Sequence, residues 1–377
     1  MNCLRPALLL FFVGFFGTRL TAQSLQSEIN HLMEKYRAVG LALVAVKDNK
    51  IIYNESFGLK DIETKTPLSQ RDIFRIASIS KSFSATAIMQ LVAQGKLALT
   101  DDVSKLIGFR VRNPKFPKTT ITLKMLLSHR SSLNDSQGYF TLDSINPATS
   151  PNTAKCYNDY EPGKGYEYCN LNFNIIGAII EKVSGKRFDQ YIKNAILDPL
   201  ELYGGYCVDS LHQSLFTTLY GFDAANDRFE AAPEAYAPRR EQIAHYRMGH
   251  STPVFSPTGG MKISAPDLAR YMIMHMNYGK GKGVRIMKKK YAKLMQQPLT
   301  EKNGYGLALL TTQKLIPGIR LTGHTGSAYG LYSAMFFEPE KKFGFVVITN
   351  GCLYSETEGT VDLHKDAINL LYKHLIQ

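Results

Sequence analysis

The sequence predicts a mixed α/β chain of the α+β kind, with one sheet made by its two ends and a mostly helical lobe inserted between them. Two observations carry this. Strand-like apolar runs bounded by turn residues lie near residues 41–53 and again near 332–349. Residues 78–95, 122–127 and 170–185 instead carry apolar residues at helical spacing. No internal repeat or low-complexity segment interrupts the pattern, so residues 23–377 read as a single domain. The sheet lobe is expected from about 24–77 and 255–377, and the helical lobe from about 78–254.

The elements follow in order. Leu25, Ile29, Leu32, Met33 and Tyr36 recur at helical spacing. Leu41–Val46 and Ile51–Tyr53 flank Lys47-Asp48-Asn49-Lys50, a hairpin signature. A helix starts near Ser78 and stops at Gly95, a residue suited to a C-terminal cap. Thr122 caps a short helix carrying Leu123, Leu126 and Leu127. From Asn170 to Gly185 the apolar residues run most of the way round, which marks a buried helix. Residues 134–165, rich in Asn, Ser, Pro, Gly and Tyr, read as long loops. Tyr332–Phe337 and Phe343–Thr349 read as paired strands, and Val361–Ile376 as a closing helix.

The first 22 residues read as a leader. Arg5 precedes an apolar run from Ala7 to Phe16, then Thr21-Ala22-Gln23, the pattern of a signal peptide cut after Ala22. The run is too short to span a bilayer. Export to the periplasm or the extracellular space is therefore expected, with no stable membrane insertion after processing. The formal net charge is +13, and +11 once Arg5 and Arg19 leave. Such an excess attracts anionic polymers without specificity. The densest basic stretch, Lys280–Lys293, lacks the interleaved aromatics that stack on bases, so it reads as a solvated helix face rather than a nucleic-acid site. Cys156, Cys169, Cys207 and Cys352 follow the leader. They show no CxxC spacing, and Cys169 is expected buried and free.

Three short motifs carry chemistry. Ser78-Ile79-Ser80-Lys81 places a hydroxyl and an amine three residues apart on one helix face, about 5–6 Å between Cβ atoms. A serine needs a neighbour to take its proton before it can attack. Tyr168-Cys169-Asn170 sets a phenol and an amide on one rim at the mouth of the buried helix. A phenol acting as a base near neutrality must drop roughly 3 pH units, about 4 kcal/mol. One ammonium about 4 Å away supplies about that at an effective dielectric near 20, so Lys81 is expected to tune Tyr168 downward. Gly323-His324-Thr325-Gly326-Ser327 comes late, with an imidazole to meet a substrate carboxylate and a backbone N–H at Ser327 for an oxyanion. An imidazole near its ordinary 6.5 would be mostly neutral at pH 7.5 and would lose its hold on a carboxylate as pH rises from 6 to 8.

SxxK, YxN and a [KH]TG triplet in this order resemble the family of class C β-lactamases, D-alanyl-D-alanine carboxypeptidases and related esterases. Phe74-Arg75-Ile76-Ala77, Leu126-Leu127-Ser128-His129 and Ser256-Pro257-Thr258-Gly259-Gly260-Met261 are similar to further segments of that family. The likeness runs from about residue 25 to 375. It implies an antiparallel sheet flanked by helices, a helical lobe, and an active site in the cleft between. It implies Ser78 as nucleophile, Lys81 and Tyr168 as acid/base partners, and no cofactor. Asn170, His324, Thr325 and Gly326 would bind the substrate, and the backbone N–H groups of Ser78 and Ser327 would form the oxyanion hole. The substrate would be a β-lactam, a D-Ala-type peptide, cell-wall fragments included, or a small ester. His324 stands where class C β-lactamases carry Lys, which weakens the case for efficient β-lactam hydrolysis.

Other classes fit less well. Gly249-His250-Ser251-Thr252-Pro253 lacks the last glycine of a nucleophile elbow, and HExxH, a Walker loop and a dinucleotide fingerprint are absent. The rival reading is a non-catalytic sensor or scaffold that binds muropeptides. The intact Ser78, Lys81 and Tyr168 argue against it.

Overall fold

A computed structural model describes residues 24–300 and 304–377; the leader expected over residues 1–22 lies outside the described residues. The main sheet has seven strands. In chain order they are β1 (Gly40–Lys47), β2 (Lys50–Asp61), β3 (Thr66–Pro67), β4 (Leu310–Thr312), β5 (Leu321–Ala328), β6 (Leu331–Glu338) and β7 (Phe343–Thr349). Their spatial order is β4-β5-β6-β7-β1-β2-β3, with every pair antiparallel. The two ends of the chain meet where β1 pairs with β7, Val44 opposite Val346. The β1–β2 turn is the tight one that the sequence signals. Lys47 pairs with Lys50, and Asp48 and Asn49 both take positive φ, 51° and 65°, the conformation that matches strand twist in a two-residue hairpin.

Alternation along β1 divides the core. Ala42, Val44 and Val46 face one layer, together with Met335, Phe337, Val346 and Ile348. Leu41, Leu43 and Ala45 face the opposite layer with Phe345 and Val347. There helix α1 (residues 24–35) covers the sheet with Leu25, Ile29 and Leu32, and the C-terminal helix (Asp362–Leu375) adds Leu363, Ile368 and Leu371. The first layer holds three helices that matter for the site: α2 (Ser80–Ala93), α3 (Asn170–Ser184) and α4 (Ala265–Met276). Helix α3 is buried along nearly its whole length, as its apolar circumference requires. It ends at Gly185 in the left-handed conformation, φ 70°.

The middle of the chain holds more β structure than its sequence suggests. Gly204–Gly205 and Ile73–Arg75 pair with the strand Lys262–Ser264, and Tyr220–Asp223 forms a hairpin with Arg228–Ala231. These strands are two to four residues long, too short for periodicity to register. Residues 134–165 are loops with two short 3-10 turns. Lys289–Gln296 is a helix with Lys289, Lys290 and Lys293 exposed. Cys156, Cys169, Cys207 and Cys352 are all buried and free. Among the described residues no helix is long and apolar enough to cross a membrane.

Candidate active site

Ser78 sits on a 3-10 turn, Ala77–Ile79, between the strand Ile73–Arg75 and helix α2. Ala77 takes a positive φ of 48°, a conformation that costs a non-glycine residue about 1–3 kcal/mol. The turn is over-determined by its neighbours. Ser333 Oγ–H donates to Ile76 O at 3.0 Å, and Arg75 Nε–H donates to Gly259 O at 3.0 Å. The kink presents the Ser78 hydroxyl to a cleft of about 1270 Å³, lined also by Tyr168, Asn170, His324, Thr325, Gly326 and Ser327. The three motifs, separated by up to 249 residues in sequence, therefore meet at one place.

Strand β5 packs against the turn because Gly326 has no side chain. A Cβ there would lie 2.3 Å from Ile76 O and 3.1 Å from Ser78 N. The backbone of Gly326 is thus set beside the backbone nitrogen of the serine. One residue on, Ser327 is exposed at the rim.

Lys81 is fully buried on the first turn of α2. Its Nζ has three partners: Ser78 Oγ at 3.0 Å, Asn170 Oδ1 at 2.9 Å and the Thr258 carbonyl at 3.0 Å. Burial pulls its pKa down to about 7, against the opposing pull of the Asp135 charge. The amine is therefore neutral in a large share of molecules near neutrality. In that neutral form two N–H groups serve Asn170 Oδ1 and Thr258 O, which can only accept, and the lone pair is left for the Ser78 hydroxyl, whereas the ammonium donates to all three.

Tyr168 departs from the sequence expectation. The residue is 36% exposed and lines the cleft, and burial pushes the phenol up rather than down, with the Ser78 hydroxyl pulling the other way. The neighbouring charges of Asp135 and the other tyrosines push the same way as burial, and Lys81 does not offset them. Lys81 is thus the group able to take up a proton near neutrality, and Tyr168 is a protonated phenol. Lys81 Nζ lies 4.8 Å from the centre of the Tyr168 ring.

His324 also needs correction. Its ring is 3% exposed and both nitrogens are engaged. The Nδ1–H donates to Thr325 O at 2.5 Å, and the Tyr305 hydroxyl donates to Nε2 at 3.0 Å. Burial, aided by the nearby Lys81, pulls its pKa down to about 3. His324 is a neutral wall of the cleft, held by Tyr305, and offers no free donor to a substrate carboxylate. Sequence spacing placed it correctly, but burial, which spacing does not reveal, removes its charge.

Two residues escape the sequence reading. His129 is buried beside Tyr168, with ring centres 4.3 Å apart, and its Nδ1 accepts the Cys169 N–H at 3.1 Å. It belongs to the Leu126–His129 segment, so its signal was present but had no role attached. Asp135 lies in the loop region. Its carboxylate accepts from Asn170 N at 2.8 Å, Asn170 Nδ2 at 2.9 Å and Leu171 N at 2.9 Å, and from the Cys169 thiol at 3.2 Å. No local pattern marks it.

A buried lysine held on a serine, with a phenol beside both, can relay a proton between an attacking hydroxyl and a leaving group. The sequence profile of the Beta-lactamase family matches residues 25–366. The chain belongs to that family. Protein flp of Staphylococcus aureus (strain N315) is 26% identical over 358 residues, covering 88% of this chain and 64% of flp. The chain thus spans less than two-thirds of that relative's length. The octameric penicillin-binding protein homologue from Pyrococcus abyssi superposes with a TM-score of 0.73 at 26% identity, over 93% of this chain and 77% of that one. The D-amino acid amidase from Ochrobactrum anthropi SV3 gives 0.73 at 20% identity, over 94% and 98%. This Beta-lactamase-family chain therefore has the mixed fold of penicillin-binding and amidase relatives, with an antiparallel sheet and flanking helices.

Proposed function

We propose that the protein is an exported serine hydrolase that opens an amide or ester carbonyl through an acyl-enzyme. The observation that carries this reading is the Lys81 amine, buried, tied to two carbonyl-type acceptors and directed at Ser78 Oγ 3.0 Å away. Ser78 Oγ attacks the carbonyl carbon as its proton passes to Lys81 Nζ. The developing oxyanion is met by the backbone N–H groups of Ser78 and Ser327. Tyr168, kept protonated by its surroundings, gives its proton to the departing amine or alkoxide and regains one from the Lys81 ammonium. Water then attacks the ester carbonyl on Ser78 as Lys81 takes its proton; the bond to Ser78 Oγ breaks, the Lys81 ammonium returns the proton to that oxygen, and the acid leaves.

The substrate class proposed is a β-lactam, a D-Ala-type peptide or a small ester. The names of the penicillin-binding and amidase relatives support it, as does a cleft large enough for a peptide fragment. Location in the periplasm or outside the cell rests on the leader sequence. The testing experiment treats purified protein with a fluorescent penicillin and with p-nitrophenyl butyrate, then maps the adduct by mass spectrometry. The expected adduct is on the peptide holding Ser78, and Ser78→Ala abolishes both labelling and turnover, a loss on the order of 10⁶ in rate. Binding without turnover or adduct would instead favour a muropeptide sensor or scaffold.

A further inference from the structure

We infer that Asp135 is a positioning residue for proton transfer, fixing the orientation of the Asn170 amide so that the Lys81 lone pair is aimed at Ser78. The inference rests on the serine-hydrolase reading and assigns a role to a residue outside its motifs.

Start with the helix end. The first amides of α3 need acceptors, and the N-cap residue, Cys169, supplies none from its side chain. Asp135 supplies them from another loop, accepting from Asn170 N and Leu171 N. That loop is itself pinned. Asn134 N–H donates to Cys156 O at 2.9 Å, Asn134 Oδ1 accepts from Ser136 N at 3.0 Å, and the Ser131 hydroxyl donates to Asn172 Oδ1 at 2.7 Å. The carboxylate is thus held in place from both sides.

Its remaining contact selects the amide orientation. A carboxylate only accepts hydrogen bonds, so the Asn170 side chain must turn its NH₂ toward Asp135, at 2.9 Å. Its oxygen then faces the other way, where it accepts from Lys81 Nζ at 2.9 Å and from Thr258 Oγ1 at 2.8 Å. A flipped amide would present NH₂ to Lys81 and draw the amine's lone pair away from Ser78. Asp135 therefore sets the direction of the Lys81 amine through the single intervening residue Asn170.

The charge acts as well. The groups facing Lys81 are Asp135 from its own loop, Tyr168 and Cys169 from the approach to α3, His129 after the helix Leu123–Leu127, and His324 on β5. Burial keeps the thiol, the phenol and both imidazoles neutral. Asp135 is the carboxylate among them, and its charge favours the ammonium. Removing it makes Lys81 lose its proton more readily, so the acid limb of kcat/KM against pH moves to lower pH.

The experiment is the pH profile of p-nitrophenyl butyrate hydrolysis by the wild-type protein, Asp135→Asn and Asp135→Glu, with melting temperatures recorded alongside. Asp135→Asn is expected to lower kcat by on the order of 10–100-fold, part of the usual worth of a general base, and to shift the acid limb downward. Asp135→Glu keeps the charge, so its limb stays near the wild-type midpoint while kcat falls less. An Asn variant with wild-type kcat and limb overturns the inference. So does one whose activity falls only as its melting temperature falls, with the limb unmoved. If Asp135→Asn does not fold, Asp135→Glu decides, and a wild-type kcat there overturns the inference too. A wild-type protein with no Ser78-dependent turnover would instead overturn the serine-hydrolase reading on which this rests.

Discussion

Replacing Lys81 with Met should inactivate the protein and stabilise it, and the stabilisation should depend on pH. Lys81 is fully buried, with its pKa pulled from 10.5 to about 7. Below pH 7 the fold must hold a charge that the unfolded chain carries in water, at a cost on the order of 5 kcal/mol. Met fills a similar volume without that charge. It also orphans the Thr258 carbonyl, at about 1–3 kcal/mol, whereas Asn170 Oδ1 keeps its Thr258 hydroxyl donor and the half-exposed Ser78 hydroxyl finds water. The balance is a net gain of about 2–4 kcal/mol at pH 6. Above pH 7 the native lysine is neutral while the unfolded one stays charged, so wild-type stability rises with pH up to about 10.5. By pH 9 the remaining penalty is about 2 kcal/mol and the two effects nearly cancel. Urea unfolding at pH 6 and pH 9, followed by circular dichroism, measures this directly. A stability difference between Lys81→Met and the wild type that is the same at both pH values would show that Lys81 keeps an ordinary pKa in the fold, and it could not then serve as a neutral base.

Three further outcomes are expected. Gly326→Ala pushes a Cβ to 2.3 Å from Ile76 O, so β5 must retreat by about 1 Å from the serine turn; kcat should fall on the order of 10²-fold, as read by stopped-flow acylation with an activated ester. Tyr168→Phe removes a proton donor and should cost about 10²–10⁴ in kcat with poor leaving groups, and much less with p-nitrophenol, whose departure needs no proton; equal losses on both would point to a purely structural phenol. With His324 at about 3, the ratio of KM for a carboxylate-bearing ester to KM for its neutral analogue should stay flat from pH 6 to 8, and a KM ratio that rises with a midpoint near 6.5 would show an exposed, titrating imidazole.

The sequence exposed the site's geometry better than its electrostatics. Ser78 and Lys81 are legible because helical spacing alone puts positions three apart on one face. Tyr168 and Asn170 are legible because they open a helix whose apolar circumference marks it as buried. The strand pairing at the chain ends follows from alternation and from a turn written as Asp48-Asn49. Protonation is different, because it depends on how much protein surrounds a group. The charge of a nearby ammonium leads one to expect a phenol tuned downward, yet burial acts on both groups, pulling the Lys81 amine down and pushing the Tyr168 phenol up. The same cause silences His324. Asp135 was invisible for another reason. It reaches the site by capping a helix that starts 35 residues later, a pairing no local window contains.

The tyrosines around the cleft have an optical consequence. The chain contains 21 tyrosines and no tryptophan, so its ultraviolet emission is tyrosine emission alone. Tyr139, Tyr166, Tyr168, Tyr305 and Tyr329 all border the cleft. A ligand seated over Ser78 changes the surroundings of about a quarter of the emitters at once, and no indole masks the change. Occupancy of the cleft can therefore be titrated on unlabelled protein from its own fluorescence, including with compounds that are never turned over.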